Sequence, residues 1–241
     1  MGAIVSLYPG RFSPVELDIN GIRTIIIDPH NDIIPYWFME SLRRKCSLIA
    51  LRIDAHHDMF HCCPALPARE GRERHHYLQQ LLPCLQHYSR TLVNEGNFTC
   101  PAFHCRVIGA LYHYHPGREQ LDAYGRADGS ETENPPKTRE MSSPAGDRRI
   151  YWDGRETRLD GDEASPKTAP QPRRISRHDF QRDIEDCILP VAVGIDLDGL
   201  YGNGDRGPVE KMVKKRMTGV RRILESVSRP AFICLARSQS P

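Results

Sequence analysis

Residues 54–58 read Asp-Ala-His-His-Asp and follow the apolar run Ser47-Leu-Ile-Ala-Leu-Arg-Ile53. In an extended segment alternate side chains share a side, so Asp54, His56 and Asp58 can converge on one point. Two carboxylates with an imidazole make a hard-to-borderline metal-ligand set. A second carboxylate pair, Asp196-Leu-Asp198, follows the apolar run Ile188-Leu-Pro-Val-Ala-Val-Gly-Ile195, and His30 follows a third such run. An acid just after a buried strand is costly unless compensated. Asp54 alone reads as a cap of the next turn ahead of a ligand, and His30 alone reads as an ordinary histidine. Taken together the set points to two divalent ions and to hydrolysis. Carboxylates bridge two mutually repelling cations, which share a water whose pKa they depress toward neutrality. Such a set suits Mn2+, with Fe2+, Co2+ and Zn2+ left open.

Elements must bring these residues together. Arg23-Thr-Ile-Ile-Ile-Asp28 reads as a buried strand. Asp32 is placed to cap a helix running to about Lys45, with Pro35 in its first turn. The strand Leu48–Ile53 and the Asp54–Asp58 loop follow. Residues 71–90 read as a helix with Tyr77, Leu78, Leu81, Leu82, Leu85 and Tyr88 on its apolar side, kinked or ended by Pro83. Phe103–Tyr114 is apolar and of open type. Val191–Asp196 reads as a strand, followed by a glycine-rich loop over 199–207 and a helix over about 209–228. Its stripe is Met212, Val213, Met217, Val220, Ile223, Leu224 and Val227. Pro230 ends it, and the strand Ala231–Ala236 closes a parallel strand–helix–strand unit. The fold class is α/β, with the candidate ligands at strand C-terminal ends, as open α/β sheets place their sites.

Between about Pro116 and Arg174 the composition changes to Gly, Pro, Glu, Arg, Ser and Thr. The segment 117–174 reads as a flexible insertion in a single domain of residues 1–241. Within it, Arg149–Arg158 carries a hairpin signal, with the turn at Asp153-Gly154.

The bulk properties narrow the classes. With 241 residues the chain can bury one full core. A net charge of +2 with interspersed signs argues against nucleic-acid partners. The longest apolar runs are too short for a membrane span, and Met1–Ser6 makes no convincing signal peptide. Met1-Gly2 with Ser6 fits a myristoylation motif short enough to arise by chance. The eight cysteines contain no C-x-x-C and read as reduced thiols, so a cytoplasmic location is expected.

Asp54-Ala-His-His-Asp58 and Ile195-Asp-Leu-Asp-Gly-Leu200 resemble the two aspartate signatures of the ureohydrolase superfamily, the arginases and agmatinases. Asp28-Pro-His-Asn-Asp32 resembles the element that supplies its first histidine ligand. Asn31, Pro35-Tyr-Trp37, the His56-His57 pair, Met59, Asn97-Phe-Thr-Cys-Pro-Ala102 and the stretch from Ile233 onward look closest to a divergent branch that includes the peptide arginases. The resemblance spans about residues 20–116 and 188–241 and leaves 117–174 unexplained. It implies an arginase-like three-layer α/β/α fold with a mostly parallel sheet and two divalent ions, Mn2+ by preference. One ion would take His30, Asp54, Asp58 and Asp196; the other would take Asp54, His56, Asp196 and Asp198, with Asp54 and Asp196 bridging. The implied reaction converts arginine side chains of a peptide to ornithine with release of urea.

Departures bear on the substrate. In the free-arginine enzymes an acid downstream of the last strand pairs with the guanidinium; here only five residues follow Ala236. Recognition is therefore expected to differ, with Asp205, Glu40 and Glu210 as candidate acids. The proton shuttle does not align: His57 is the named candidate, with His61, His75 and His76 behind it. Agmatine or another small guanidine is the nearest rival substrate. A metallo-phosphoesterase would need further histidines after Asp198, and none follows His178. A non-catalytic module keeping metals for structure, with 117–174 as a partner surface, is the remaining reading.

Overall fold

The computed structural model describes residues 13–60, 62–125, 127, 138–142, 148–152, 172–201 and 209–237. The chain is α/β, built on an eight-stranded sheet that is parallel at its centre. Its strands are β1 (Val15–Ile19), β2 (Ile22–Ile27), β3 (Leu48–Ile53), β5 (Ile108–Tyr114), β6 (Leu121–Gly125), β9 (Arg173–Ile175), β10 (Val191–Asp196) and β11 (Phe232–Ala236). They lie in the order β1-β2-β11-β10-β3-β5-β6-β9. The inner five run parallel; β1, β6 and β9 add antiparallel edges. A second, three-stranded sheet joins β4 (Cys62–Pro64), β7 (Thr138–Ser142) and β8 (Arg148–Trp152) in the order β4-β8-β7.

Five helices complete the described residues: α1 (Ile34–Arg44), α2 (Arg74–Thr91), α3 (Thr99–His104), α4 (Arg177–Glu185) and α5 (Val209–Leu224). Alternation along β3 explains how they cover the sheet. Leu48 and Ala50 pack with Trp37 and Phe38 of α1, Leu78 and Leu85 of α2 and Phe103 of α3. Ile49, Leu51 and Ile53 pack on the other face with Phe180 of α4 and Val220 and Ile223 of α5. A strand buried on both faces is largely apolar, which is why β3, Arg52 apart, and β10 up to Ile195 read as aliphatic runs.

Three expectations are corrected. Asp32 does not cap α1. It lies in a 3-10 turn, His30–Ile33, and is buried against Arg90 of α2, whose Nη2 reaches Asp32 Oδ2 at 2.8 Å. Pro83 neither ends nor shortens α2, which continues through it to Thr91. The segment 117–174 is in part core: β6 is fully buried and pairs with β5, and β9 pairs with β6. Within that segment β8 has the expected position, but its partners are β7 and β4. The expected turn at Asp153-Gly154 lies outside the described residues. The unsettled stretch over 103–114 resolves into the end of α3 and β5.

One hairpin went unread. Asn20-Gly21 joins β1 to β2 with φ of 54° and 78°, the left-handed pair that a two-residue turn requires and that Asn-Gly supplies readily. Among the described residues no helix is long and apolar enough to cross a membrane.

Candidate metal centre

β3 and β10 are neighbours in register, with Ile53 opposite Ile195, so Asp54 and Asp196 emerge side by side at the same sheet edge. His30 reaches them from the turn after β2. Its Nδ1 lies 3.2 Å from Asp54 Oδ2 and 3.4 Å from Asp196 Oδ2. On the solvent side His56 Nδ1 lies 2.9 Å from Asp198 Oδ2 and 3.9 Å from Asp54 Oδ1. Two ligand-like groups result, His30–Asp54–Asp196 and Asp54–His56–Asp198, with Asp54 common to both. The first is buried. The second opens outward, with the His56 side chain 71% and Asp198 23% exposed.

Capping and ligation, alternatives for a lone aspartate, are divided here between the two oxygens of one carboxylate. Asp54 Oδ1 accepts the backbone N–H of His56 at 2.7 Å, and Asp196 Oδ1 accepts that of Asp198 at 3.2 Å. In each case Oδ2 is the oxygen turned to His30.

The fit of this pocket to divalent cations is tested on His30 itself. Both ring nitrogens are buried and neither makes a hydrogen bond of normal geometry among the described residues. Burial disfavours a charged ring, yet pairing with Asp196 and Asp54 raises its pKa to about 9. A point where carboxylates enforce positive charge on a buried imidazole is one where a cation can replace the proton. Asp198 Oδ1 is likewise buried without a hydrogen-bond partner among the described residues. Burial, then the charges of Asp196 and Asp54, push the Asp198 carboxyl up. Two imidazoles and three carboxylates therefore fit a divalent-metal centre.

Asp58 is placed differently from the expectation. It joins neither group; its Oδ2 accepts from Nη2 of Arg52, which also donates to Asp54 Oδ2. Arg52 is wholly buried, its guanidinium 4.8 Å from the Phe98 ring centroid and its Nη1 2.9 Å from the His57 carbonyl oxygen. Burial opposes the charged carboxylate of Asp54, but Arg52 and then His30 hold its pKa far below the usual range. Alternation along β3 puts residue 52 on the side of residue 54, and that was the signal for Arg52.

Glycine permits the close approach. A Cβ on Gly199 would stand 3.2 Å from Asp54 Cα, and one on Gly194 would stand 3.3 Å from His30 Nε2. The two strand-end loops touch because residue 199 has no side chain.

His57 does not face either group. Its Nδ1 lies 2.9 Å from the Tyr124 hydroxyl and its Nε2 3.2 Å from Asp122 Oδ2. Burial and the neighbouring His113 lower its pKa to about 4. His75 and His76 are exposed in the first turn of α2. That turn sits at the opposite sheet edge, since Arg74 donates to the carbonyl oxygens of Cys46 and Arg106, which precede β3 and β5. Glu40 is bound by Arg43 and Arg44, and Glu210 by Lys214. His61 and Asp205 lie outside the described residues. An unforeseen acid is present instead: Glu95 accepts from the His30 backbone. Burial first, then the charge of Asp196, raise its pKa.

No protein-family model and no curated protein matches the chain.

Proposed function

We propose that the chain is a metal-dependent hydrolase of arginase-like three-layer fold that cleaves the C–N bond of a guanidino group. The observation that carries this reading is the pair of His/Asp groups sharing Asp54 at the ends of two adjacent parallel strands. The net reaction takes a substituted guanidinium and water to a substituted ammonium ion and urea. The outward opening at His56 and Asp198 favours a guanidinium carried on a peptide side chain, with ornithine as the product residue. Agmatine or a similar small guanidine is the second reading, since the same opening admits it.

Divalent ions, Mn2+ by preference, held by His30, Asp54 and Asp196 and by Asp54, His56 and Asp198, would supply Lewis acidity and lower the pKa of a water. The protein's own groups do the rest. Arg52 keeps Asp54 ionised and fixes its Oδ2 by a hydrogen bond. Asp54 and Asp196 keep their backbone-bonded oxygens as anchors while the other oxygen faces inward. Glu95, exposed beside Asp196 and Asp198, supports binding of a cationic substrate through its carboxylate.

The test is urea release from Mn2+-loaded protein given free arginine, agmatine or an arginine-containing peptide, with Asp196→Ala alongside. Urea from the peptide, abolished in the variant, is the expected result. Urea from none of the three, with metal bound, would overturn the guanidine reading and leave a metal-stabilised module.

A further inference from the structure

Behind the Asp54 loop stands a second constellation that the proposed reaction does not use. His57 follows His56 but points the opposite way, toward β5 and β6. There it meets His113 of β5, with ring centroids 4.3 Å apart, and Asp122 of β6. His113 and Asp122 are opposite one another in the β5–β6 ladder, so the sheet fixes their relation. One ring nitrogen from each histidine and an Asp122 oxygen lie within 4.8 Å of one another. His57 Nε2 is 3.2 Å from Asp122 Oδ2, and His113 Nδ1 is 4.0 Å from the same oxygen.

We propose that His57, His113 and Asp122 form a mononuclear divalent-metal site of the zinc class, separate from the groups that share Asp54. Three observations carry it. The first is spacing. Ligands about 2.0–2.1 Å from a tetrahedral ion stand about 3.3 Å from each other; His57 Nε2 meets this at 3.2 Å from Asp122 Oδ2, and His113 Nδ1, at 4.0 Å, needs only a small side-chain movement to do so. The second is the orphaned donor. His113 is fully buried, and its Nδ1 faces Asp122 Oδ2 at 4.0 Å, too far for a hydrogen bond of normal geometry. A buried unpaired nitrogen is costly, and an ion would satisfy it.

The third is the outer support. A metal-bound imidazole characteristically gives its other N–H to an oxygen, which fixes tautomer and ring orientation. Both histidines meet that condition. His113 Nε2 lies 3.1 Å from the backbone oxygen of Asp54, and His57 Nδ1 lies 2.9 Å from the Tyr124 hydroxyl. The nitrogens left over are the two that face Asp122.

Other charges touch Asp122. Arg118 Nη1 is 3.7 Å from Oδ2 and Arg174 Nε is 3.8 Å from Oδ1. Both arginine side chains are mostly exposed, and water screens such pairs, so they yield to a coordinated ion. The His57 side chain is 37% exposed, which leaves the group reachable from solvent. Two imidazoles and one carboxylate select Zn2+, Co2+ or Fe2+ over Mg2+ or Ca2+.

The test uses the full chain stripped with chelator, then titrated with Zn2+ for stoichiometry and with Co2+ for its visible ligand-field absorption. The variants are His57→Ala, Asp122→Asn and Asp196→Ala. His57→Ala should remove one tight ion per chain and its Co2+ band, and Asp196→Ala should leave that band in place. Because Asp122 is buried, circular dichroism checks its variant; His57→Ala, at a partly exposed position, decides the matter if Asp122→Asn does not fold. Equal stoichiometry in the native chain and His57→Ala would overturn the proposal. So would a Co2+ band abolished by Asp196→Ala and untouched by His57→Ala.

Discussion

Arg52 Nη2 donates to Asp58 Oδ2 and, with the same nitrogen, to Asp54 Oδ2. A fully buried guanidinium thus holds together the first and last acids of the Asp-x-His-x-Asp signature. It also occupies the position of Asp58 that a metal ligand would otherwise need.

Replacing that guanidinium should be severe. Arg52→Met leaves two carboxylates at a buried edge without their cation, and breaking such pairs costs about 3–5 kcal/mol. Divalent metal should restore more stability to the variant than to the native chain, since the freed Asp58 gains a partner. Urea unfolding with Mn2+ or with chelator reads both effects. Equal metal stabilisation of the two proteins would count against the role given to Arg52.

Stability without metal should fall as pH rises. The folded-state pKa of His30 is raised to about 9 from 6.5. Its contribution is therefore complete below pH 6.5 and is lost as pH climbs through 9, with a slope of up to about 1.4 kcal/mol per pH unit. In metal-loaded protein the ring is already deprotonated, so this loss should vanish, and metal uptake at pH 7 should release a proton. Unfolding curves at pH 6.5 and 9, with and without Mn2+, test it. Parallel pH profiles in the two states would refute the assignment.

A single methyl group should separate the two strand-end loops. In Gly199→Ala the new Cβ meets Asp54 Cα at 3.2 Å and the Ala55 nitrogen at 3.3 Å. The loops must part, carrying Asp198 away from Asp54. Metal affinity should drop about tenfold, the scale of losing support around a ligand. Global stability should change by about 1 kcal/mol. Calorimetric metal titration beside thermal unfolding distinguishes the two quantities; loss of stability with unchanged affinity would contradict the prediction.

The Asp32–Arg90 pair should matter to the fold far more than an exposed pair does. Both side chains are buried and doubly bonded, joining the turn after β2 to α2. Asp32→Ala should cost about 3–5 kcal/mol. Breaking the exposed Lys214–Glu210 pair should leave the unfolding midpoint where it is. Chemical denaturation of both variants makes the comparison.

What was legible in the chain follows burial. β3 and β10 are legible to their ends because a strand covered on both faces is largely aliphatic, so the acids Asp54 and Asp196 at their ends stand out. β6 was not legible: Leu121-Asp-Ala-Tyr-Gly125 is short, carries an acid and lies in a polar stretch, so composition assigned it to an insertion. Its burial comes from pairing with β5, a relation no local pattern carries. The same blindness hid Asp122 and His113. Arg52 passed as one charge within an apolar run. Asp32 was misread because an acid before a helix caps it more often than it finds a buried arginine sixty residues on. Glu95 has no local mark at all; only the folding of its loop onto His30 brings it to the site.

Asp54 turns its carboxylate to His30 and Asp196 and its backbone oxygen to His113 Nε2. One residue therefore belongs to the surroundings of both constellations, and no intervening lever is needed to connect them. A ligand that shifts this residue from one side changes the free energy of occupancy on the other, and thermodynamic reciprocity makes the factor equal in both directions. Occupancy of the two constellations would then be a single, mutually conditioned equilibrium.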